Sequence, residues 1–302
     1  MTNDTSHPDL YLLGGASPAL EATLAERFTL HREDPPATTR AIVGGGSSVV
    51  DAALLDRFPA LEIIAIHGVG YDGINLAATK ARGIAVTTTP DVLTDDVADL
   101  AIGLMLAVQR RIVANDRAVR DGGWQVGLAR RASGRRIGIF GLGRIGKAIA
   151  ERAAPFASAL HYAAHSAKPD FAGVFHADIA SLAAACDVLI IAAPGGEATS
   201  HIVDAGVLRA LGEDGILVNI ARGSLVDEPA LVVALQDGTI AGAGLDVFAD
   251  EPAVPNALKA MNQVVLSPHQ GSATVDGRAA MAALVVANLD AHFGRKALLT
   301  PL

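Results

Sequence analysis

Three polar residues close apolar runs in the second half of the chain, and each is of a type that holds anions or moves protons. Arg222 ends Val218-Asn219-Ile220-Ala221-Arg222, Glu251 ends Asp246-Val247-Phe248-Ala249-Asp250-Glu251, and His269 follows Val265-Leu266-Ser267-Pro268. A guanidinium fork can hold a carboxylate and polarise a neighbouring carbonyl. An imidazole can donate a proton near neutral pH, and a carboxylate beside it favours the charged ring and orients it. Hydride reduction of a 2-keto acid needs those services, because the acid must be held and the nascent alkoxide protonated. Taken singly, each residue also suits plain packing: Arg222 as a strand-end ion pair, Glu251 as a turn residue before Pro252, His269 as the partner of a backbone carbonyl. Their joint occurrence downstream of a nucleotide-binding motif favours the catalytic assignment.

That motif is Gly141-Leu142-Gly143-Arg144-Ile145-Gly146, placed directly after the apolar run Ile137–Phe140 and before an alanine-rich helical stretch. Gly141 suits a tight turn, Gly143 allows backbone to approach a pyrophosphate, and Gly146 lets the helix pack on the strand. Free N–H groups at the helix start, around Arg144 and Ile145, would bind the anion. An NAD-selective site carries an acid about 20 residues further on, at the end of the second strand. Residues 152–169 contain no acid, and the strand end reads Tyr162-Ala163-Ala164-His165-Ser166-Ala167-Lys168. With no carboxylate to repel a 2′-phosphate, and with His165, Ser166 and Lys168 available to donate, NADP(H) is expected over NAD(H).

Short apolar runs alternate with helical stretches throughout, the pattern of parallel sheets covered by helices. Tyr11–Leu13, Ala41–Val43, Ile63–Ile66 and Ile84–Val86 are expected strands of a first α/β unit. Arg136–Phe140, Ala159–Tyr162, Val188–Ala192, Ile216–Ile220, Ile240–Gly244 and Val264–Leu266 are expected strands of a second. Between them, Asp95 to Arg120 reads as one long helix, with acids at its start and arginines at its end as the macrodipole favours. Ser47 is expected to cap a helix beginning near Val49, and Ser272–Phe293 reads as a final helix.

These segments resemble the D-isomer-specific 2-hydroxyacid dehydrogenase family, which carries Arg, Glu and His in this order. The likeness extends to His67-Gly68-Val69-Gly70-Tyr71-Asp72 and to Pro90–Leu104, and within the family it is greatest to glyoxylate, hydroxypyruvate and hydroxyphenylpyruvate reductases. The resemblance implies an α/β fold of two Rossmann-like domains, each a parallel sheet flanked by helices, with the active site in the interdomain cleft. It also implies a discontinuous substrate domain, 1–97 with 272–302, around a dinucleotide domain, 98–271. Backbone at Val69 and Gly70 would receive the substrate carboxylate, Asp246 would face the nicotinamide carboxamide, and Pro194 and Ala221 would lie beside the cofactor. A homodimer built around the long helix is expected. One departure stands out: NADPH-preferring relatives carry a Ser-Arg-Ser-like triplet where this chain has Ala164-His165-Ser166.

The 302 residues are 51% hydrophobic and 19% charged, with a formal net charge of −8, which argues against a nucleic-acid partner. A single cysteine, Cys186, excludes an intrachain disulfide and a multi-cysteine metal centre, and no metal is expected. It suits a small buried hydrophobe. The polar start and the absence of an apolar run near the roughly 20 residues of a membrane span point to a cytoplasmic protein. His67 is expected to support the carboxylate loop rather than touch substrate, and Trp124 to anchor packing or line the substrate pocket. An aromatic 2-keto acid is the alternative substrate. The rivals are a phosphoglycerate-type dehydrogenase, disfavoured because Ile66–Asp72 offers a phosphate only His67, and a noncatalytic nucleotide-sensing protein of corepressor type.

Overall fold

In a computed structural model, residues 7–14 and 16–302 are described, and they fall into two units. One runs to Leu93 and resumes over Thr274–Leu302; the other is Thr94–Ala273.

The first unit is a five-stranded parallel sheet in the order β2-β1-β3-β4-β5, with β1 Asp9–Leu12, β2 Thr29–His31, β3 Ala41–Gly45, β4 Ile63–His67 and β5 Ala85–Thr87. The alternation within each apolar run splits its residues between the two faces. Leu10, Leu12, Ala41, Val43, Ile63 and Ala65 pack with Leu20 and Leu24 of helix α1 (Pro18–Ala25), while Ile42, Ile64 and Ile66 pack with Leu55, Phe58 and Ile74. Helix α2 (Ala52–Asp56) is capped by Asp51, whose carboxylate accepts from the Leu54 amide at 2.8 Å. Ser47 is therefore not the cap: the acid four residues later is the better acceptor at the helix start. Helix α3 (Leu76–Ala81) is capped by Asn75. The edge strand β2 escapes sequence analysis because three residues with one partly buried leucine make no apolar run.

The second unit is a seven-stranded parallel sheet in the order β12-β11-β10-β9-β6-β7-β8. Its strands are β6 Arg135–Phe140, β7 Ala157–Ala163, β8 Val174–His176, β9 Val188–Ile191, β10 Ile216–Asn219, β11 Gly242–Leu245 and β12 Val264–Leu266. The chain runs outward from β6 through β7 to β8, then returns to place β9 on the other side of β6. That reversal creates a switch point, and ligands bind there beyond the carboxyl ends of the strands. The short edge strand β8 was not expected. Cys186 follows helix α7 (Ile179–Ala185) and is buried against Gly138, and burial pushes its thiol up to about 12.

The expected long helix is two helices, α4 (Thr94–Gln109) and α5 (Ile112–Arg120). Arg111 between them takes a left-handed φ of 54°. The Gln109 carbonyl, which a continuous helix would give to the amide four residues on, instead accepts from the Arg130 amide at 2.9 Å. Helix α4 buries Val97, Ala101, Leu104 and Val108, and it packs on β10, β11 and α6 (Arg144–Ala153). The glycines of β11 make room for it: a Cβ on Gly244 would stand 3.0 Å from that of Leu104. Helix α5 buries no residue, and Ile112, Val119, Trp124 and Leu128 are exposed. Helices α8 (Ala205–Leu211), α9 (Glu228–Gln236) and α10 (Asn256–Ala260) complete this unit.

Helix α11 (Val275–Phe293), capped by Thr274, returns the chain to β4 of the first unit. Its fully buried Asn288 accepts from the Leu299 amide and donates to Thr300 Oγ1, each at 2.9 Å, while the Thr300 hydroxyl donates to the Thr88 carbonyl at 2.6 Å. No described helix is long and apolar enough to cross a membrane.

The packing of α4 on β11 yields a test. Gly244→Val is expected to cost about 1–3 kcal/mol by overpacking, read as a lower urea midpoint with an unchanged slope. A midpoint equal to wild type would show that α4 does not press on this strand.

Candidate active site

The carboxyl ends of β10, β11 and β12 are tied together by one buried carboxylate. Asp246, 1% exposed, follows β11. Its Oδ1 accepts from Ser267 Oγ at 2.5 Å and from the Gln270 amide at 2.7 Å, and its Oδ2 accepts from the Gly271 amide at 2.8 Å. Its own amide donates to the Asn219 carbonyl at 2.9 Å, and its carbonyl accepts from the His269 amide at 2.8 Å. The loop after β12 is thereby wrapped round Asp246. His269 sits in that loop at φ 55°, a conformation that L residues avoid unless the surroundings impose it.

Arg222 is set by similar means. Asn219, at the end of β10, accepts from the Ala221 amide at 3.1 Å and donates Nδ2 to the Arg222 carbonyl at 2.8 Å. Arg222 Nη1 donates to the Ala221 carbonyl at 2.7 Å. The next residue must be glycine, because backbone of Phe248 and Ala249 occupies the place a Gly223 Cβ would take. That close approach brings the segment bearing Glu251 against the one bearing Arg222.

His269 Nδ1 lies 2.7 Å from Glu251 Oε2, and the other Glu251 oxygen accepts from the Phe248 amide at 3.0 Å. An ionised carboxylate only accepts, so Nδ1 carries the proton of this bond and Nε2 is left for chemistry. Burial pushes the Glu251 carboxyl up, yet the bonds from His269 and the Phe248 amide, with the charges of His269 and Arg222, hold it below the usual glutamate range.

The glycine loop lies on the same sheet. Gly141 has a φ of 99° and lies tight against Ala192 and Ala193, and its amide donates to the Ala163 carbonyl at the end of β7 at 2.9 Å. Gly146 packs its Cα face on the Gly141 carbonyl, whereas a Cβ on Gly143 would meet nothing within 4 Å. Gly143 is the N-cap of α6 and offers no side-chain cap, and the space beside its Cα is open. Arg144 is exposed and Ile145 half-buried beside it. Such a cradle fits a pyrophosphate. Past β7, the buried Tyr162 hydroxyl accepts from the Lys168 amide at 2.7 Å, which folds Ala163–Lys168 into a turn. His165 and Ser166 are exposed in that turn, and Lys168 Nζ reaches Ser166 Oγ at 3.4 Å.

The other expected residues have simpler surroundings. Ala221 is buried beneath Arg222, and Pro194 is exposed after β9 with its carbonyl accepting from Thr199 Oγ1 at 2.9 Å. In the first unit, Val69 and Gly70 are half-buried in the loop after β4. Sequence analysis missed Asn219, Ser267, Tyr162 and Gly223 as positioning residues. Asn219 alone carried a signal, an amide closing an apolar strand.

The Glu251 carboxyl sets a pH test. Its pKa is depressed in the folded protein, so its stabilising contribution is full above the ordinary value of 4.5 and is lost as pH falls through the lower folded value. The melting-temperature gap between wild type and Glu251→Gln is therefore expected to shrink as pH falls below about 5. A gap that widens below about pH 5 would contradict the assignment.

The family model described as D-isomer specific 2-hydroxyacid dehydrogenase, NAD binding domain, matches residues 102–271. A hydroxyphenylpyruvate reductase of Plectranthus scutellarioides is 48% identical over 93% of this chain and 95% of its own length. A glyoxylate/hydroxypyruvate reductase of Arabidopsis thaliana is 49% identical over the same shares of the two chains, 93% and 95%. The solved NADPH-dependent glyoxylate/hydroxypyruvate reductase of Sinorhizobium meliloti, in complex with NADP and malonate, superposes with a TM-score of 0.91 at 43% identity, covering 98% of this chain and 97% of that one. By profile, by sequence and by fold, the chain belongs to the D-isomer specific 2-hydroxyacid dehydrogenase family.

Proposed function

We propose that the protein is an NAD(P)H-dependent reductase of small 2-keto acids, of the glyoxylate and hydroxypyruvate type, forming the D-2-hydroxy acid. The observation that carries this reading is the His269–Glu251 pair, held beside the Arg222 segment on the same sheet as the glycine loop. Arg222 holds the acid and polarises its carbonyl. His269, with Glu251 fixing its Nδ1 proton, gives the Nε2 proton to the carbonyl oxygen as negative charge gathers there. When bound, the reduced nicotinamide supplies the hydride. Gly141, Gly143, Arg144, Ile145 and Gly146 would hold its pyrophosphate, with Pro194, Ala221 and Asp246 nearer the nicotinamide. Val69 and Gly70 are assigned to the substrate carboxylate.

NADPH is the preferred cofactor, supported by the turn Ala163–Lys168, which presents His165, Ser166 and Lys168 and no acid. The S. meliloti relative is likewise NADPH-dependent. An aromatic acid is the second substrate reading, favoured by the hydroxyphenylpyruvate reductase among the relatives. The noncatalytic sensor loses its ground, since a reductase needs the His–Glu pair and a sensor does not.

We further propose a homodimer formed around α5 and the segment after it. Ile112, Val119, Trp124 and Leu128 are exposed there, an apolar patch of the kind that marks association.

Loss of NADPH and NADH absorbance with glyoxylate, hydroxypyruvate and hydroxyphenylpyruvate tests the reaction. The wild type is expected to oxidise NADPH faster with glyoxylate or hydroxypyruvate, and His269→Ala to lose about 10²–10⁴-fold in kcat while still binding NADPH. No turnover with any of the three would refute the assignment. Light scattering tests the dimer: a mass about twice the 30.9 kDa of one chain is expected, and a monomer would refute it.

A further inference from the structure

His67 closes β4 directly ahead of the loop Gly68–Tyr71, and Arg278 stands in the first turns of α11 in the same unit. His67 is 3% exposed, and its Nδ1 lies 3.4 Å from Nη1 of Arg278. A guanidinium has no lone pair to offer, so Nδ1 accepts and the ring proton sits on Nε2. Nε2 is buried with no hydrogen-bond partner among the described residues. Burial holds the imidazole below its ordinary range, the Arg278 charge adds to this, and only the Arg278 backbone acts the other way. The ring is thus a neutral prop for the guanidinium and not its counter-charge.

Arg278 is itself partly buried, and among the described residues its hydrogen-bond partner is His67 rather than a carboxylate. Withdrawing a cation from water without an anion is costly, and a fold that keeps one there leaves a charge to be completed. The neighbouring Gly68 carbonyl does not serve: it already accepts from the Thr89 amide at 2.8 Å and the Thr89 hydroxyl at 3.2 Å.

We infer that Arg278 is a specificity-determining residue that takes up negative charge of the bound 2-keto acid beside the loop Gly68–Gly70, with His67 as its positioning residue. This rests on the proposed function, in which that loop receives the substrate carboxylate. It adds a second guanidinium, distinct from Arg222, with work in binding rather than in proton transfer. Loss of such a contact weakens ground state and transition state alike, so it appears in KM and leaves kcat nearly untouched.

The test is glyoxylate turnover with NADPH, together with inhibition by oxalate, in Arg278→Met, Arg278→Lys and His67→Gln. Arg278→Met is expected to raise the KM of glyoxylate and the inhibition constant of oxalate about tenfold or more, with kcat within about threefold. NADPH binding should be unchanged. Arg278→Lys, which keeps the charge but not the fork, should raise both constants only about two- to fivefold. His67→Gln should raise them about threefold with kcat kept. Unchanged constants in folded Arg278→Met would overturn the inference, as would a fall in kcat at constant KM. If Arg278→Met melts, Arg278→Lys decides: a raised oxalate constant at an unchanged melting temperature supports the role, and an unchanged constant refutes it. Absence of wild-type turnover would instead sink the proposed function, and calorimetric titration of oxalate into the NADPH-loaded variants would still decide the place of Arg278.

Discussion

The arrangement depends on a single buried carboxyl group that accepts three hydrogen bonds from within the chain. Asp246 receives a hydroxyl and two amides from the loop after β12, while its own backbone bridges Asn219 and His269. Polar oxygens at 1% exposure are tolerable only with such a set of donors. The same set leaves His269 no freedom: its amide is held, its φ is held, and its ring meets Glu251. The proposed proton donation to a carbonyl needs a donor placed to within a fraction of an ångström, and for His269 such a placement would come from the bonds at three strand ends.

The second determinant is where side chains are missing. The absent Cβ atoms of Gly141, Gly146 and Gly223 let backbone pack on backbone, and that of Gly143 leaves open space at the start of α6. Beyond β7, the lack of any acid combines with the Tyr162 hydroxyl, which gathers Ala163–Lys168 into a turn of donors. In the proposed reaction, cofactor choice would lie in a few residues after β7, and hydride and proton chemistry on the other side of the sheet's switch point, on β10 to β12.

Much of this was legible in the sequence because the signals are local. Parallel strands buried on both faces read as unbroken apolar runs, and ten of the twelve lie where those runs are. The glycine motif and the Arg222, Glu251 and His269 contexts are each continuous in sequence. Of the edge strands, β2 (Thr-Leu-His) and β8 (Val-Phe-His) were not legible because neither holds an unbroken apolar run, whereas the equally short β5 and β12 lie in such runs. The break between α4 and α5 was hidden because it depends on a distant amide, that of Arg130, taking the Gln109 carbonyl. The roles of Ser267 and Tyr162 were hidden for the same reason, because a hydroxyl near a strand end looks ordinary until its partner is known. His67 showed only as a polar residue near a loop; its neutral pairing with Arg278 joins positions 211 apart in the chain.

The central claim is that Asp246 positions the proton donor, and the kcat of Asp246→Asn tests it most directly. The asparagine keeps the shape, but it has one accepting oxygen where the carboxylate had two, and its amide nitrogen cannot receive the Gln270 or Gly271 N–H. With far-UV circular dichroism unchanged, kcat is expected to fall by about 10²-fold or more as His269 loses its place. A folded Asp246→Asn protein turning over at the wild-type rate would contradict the account.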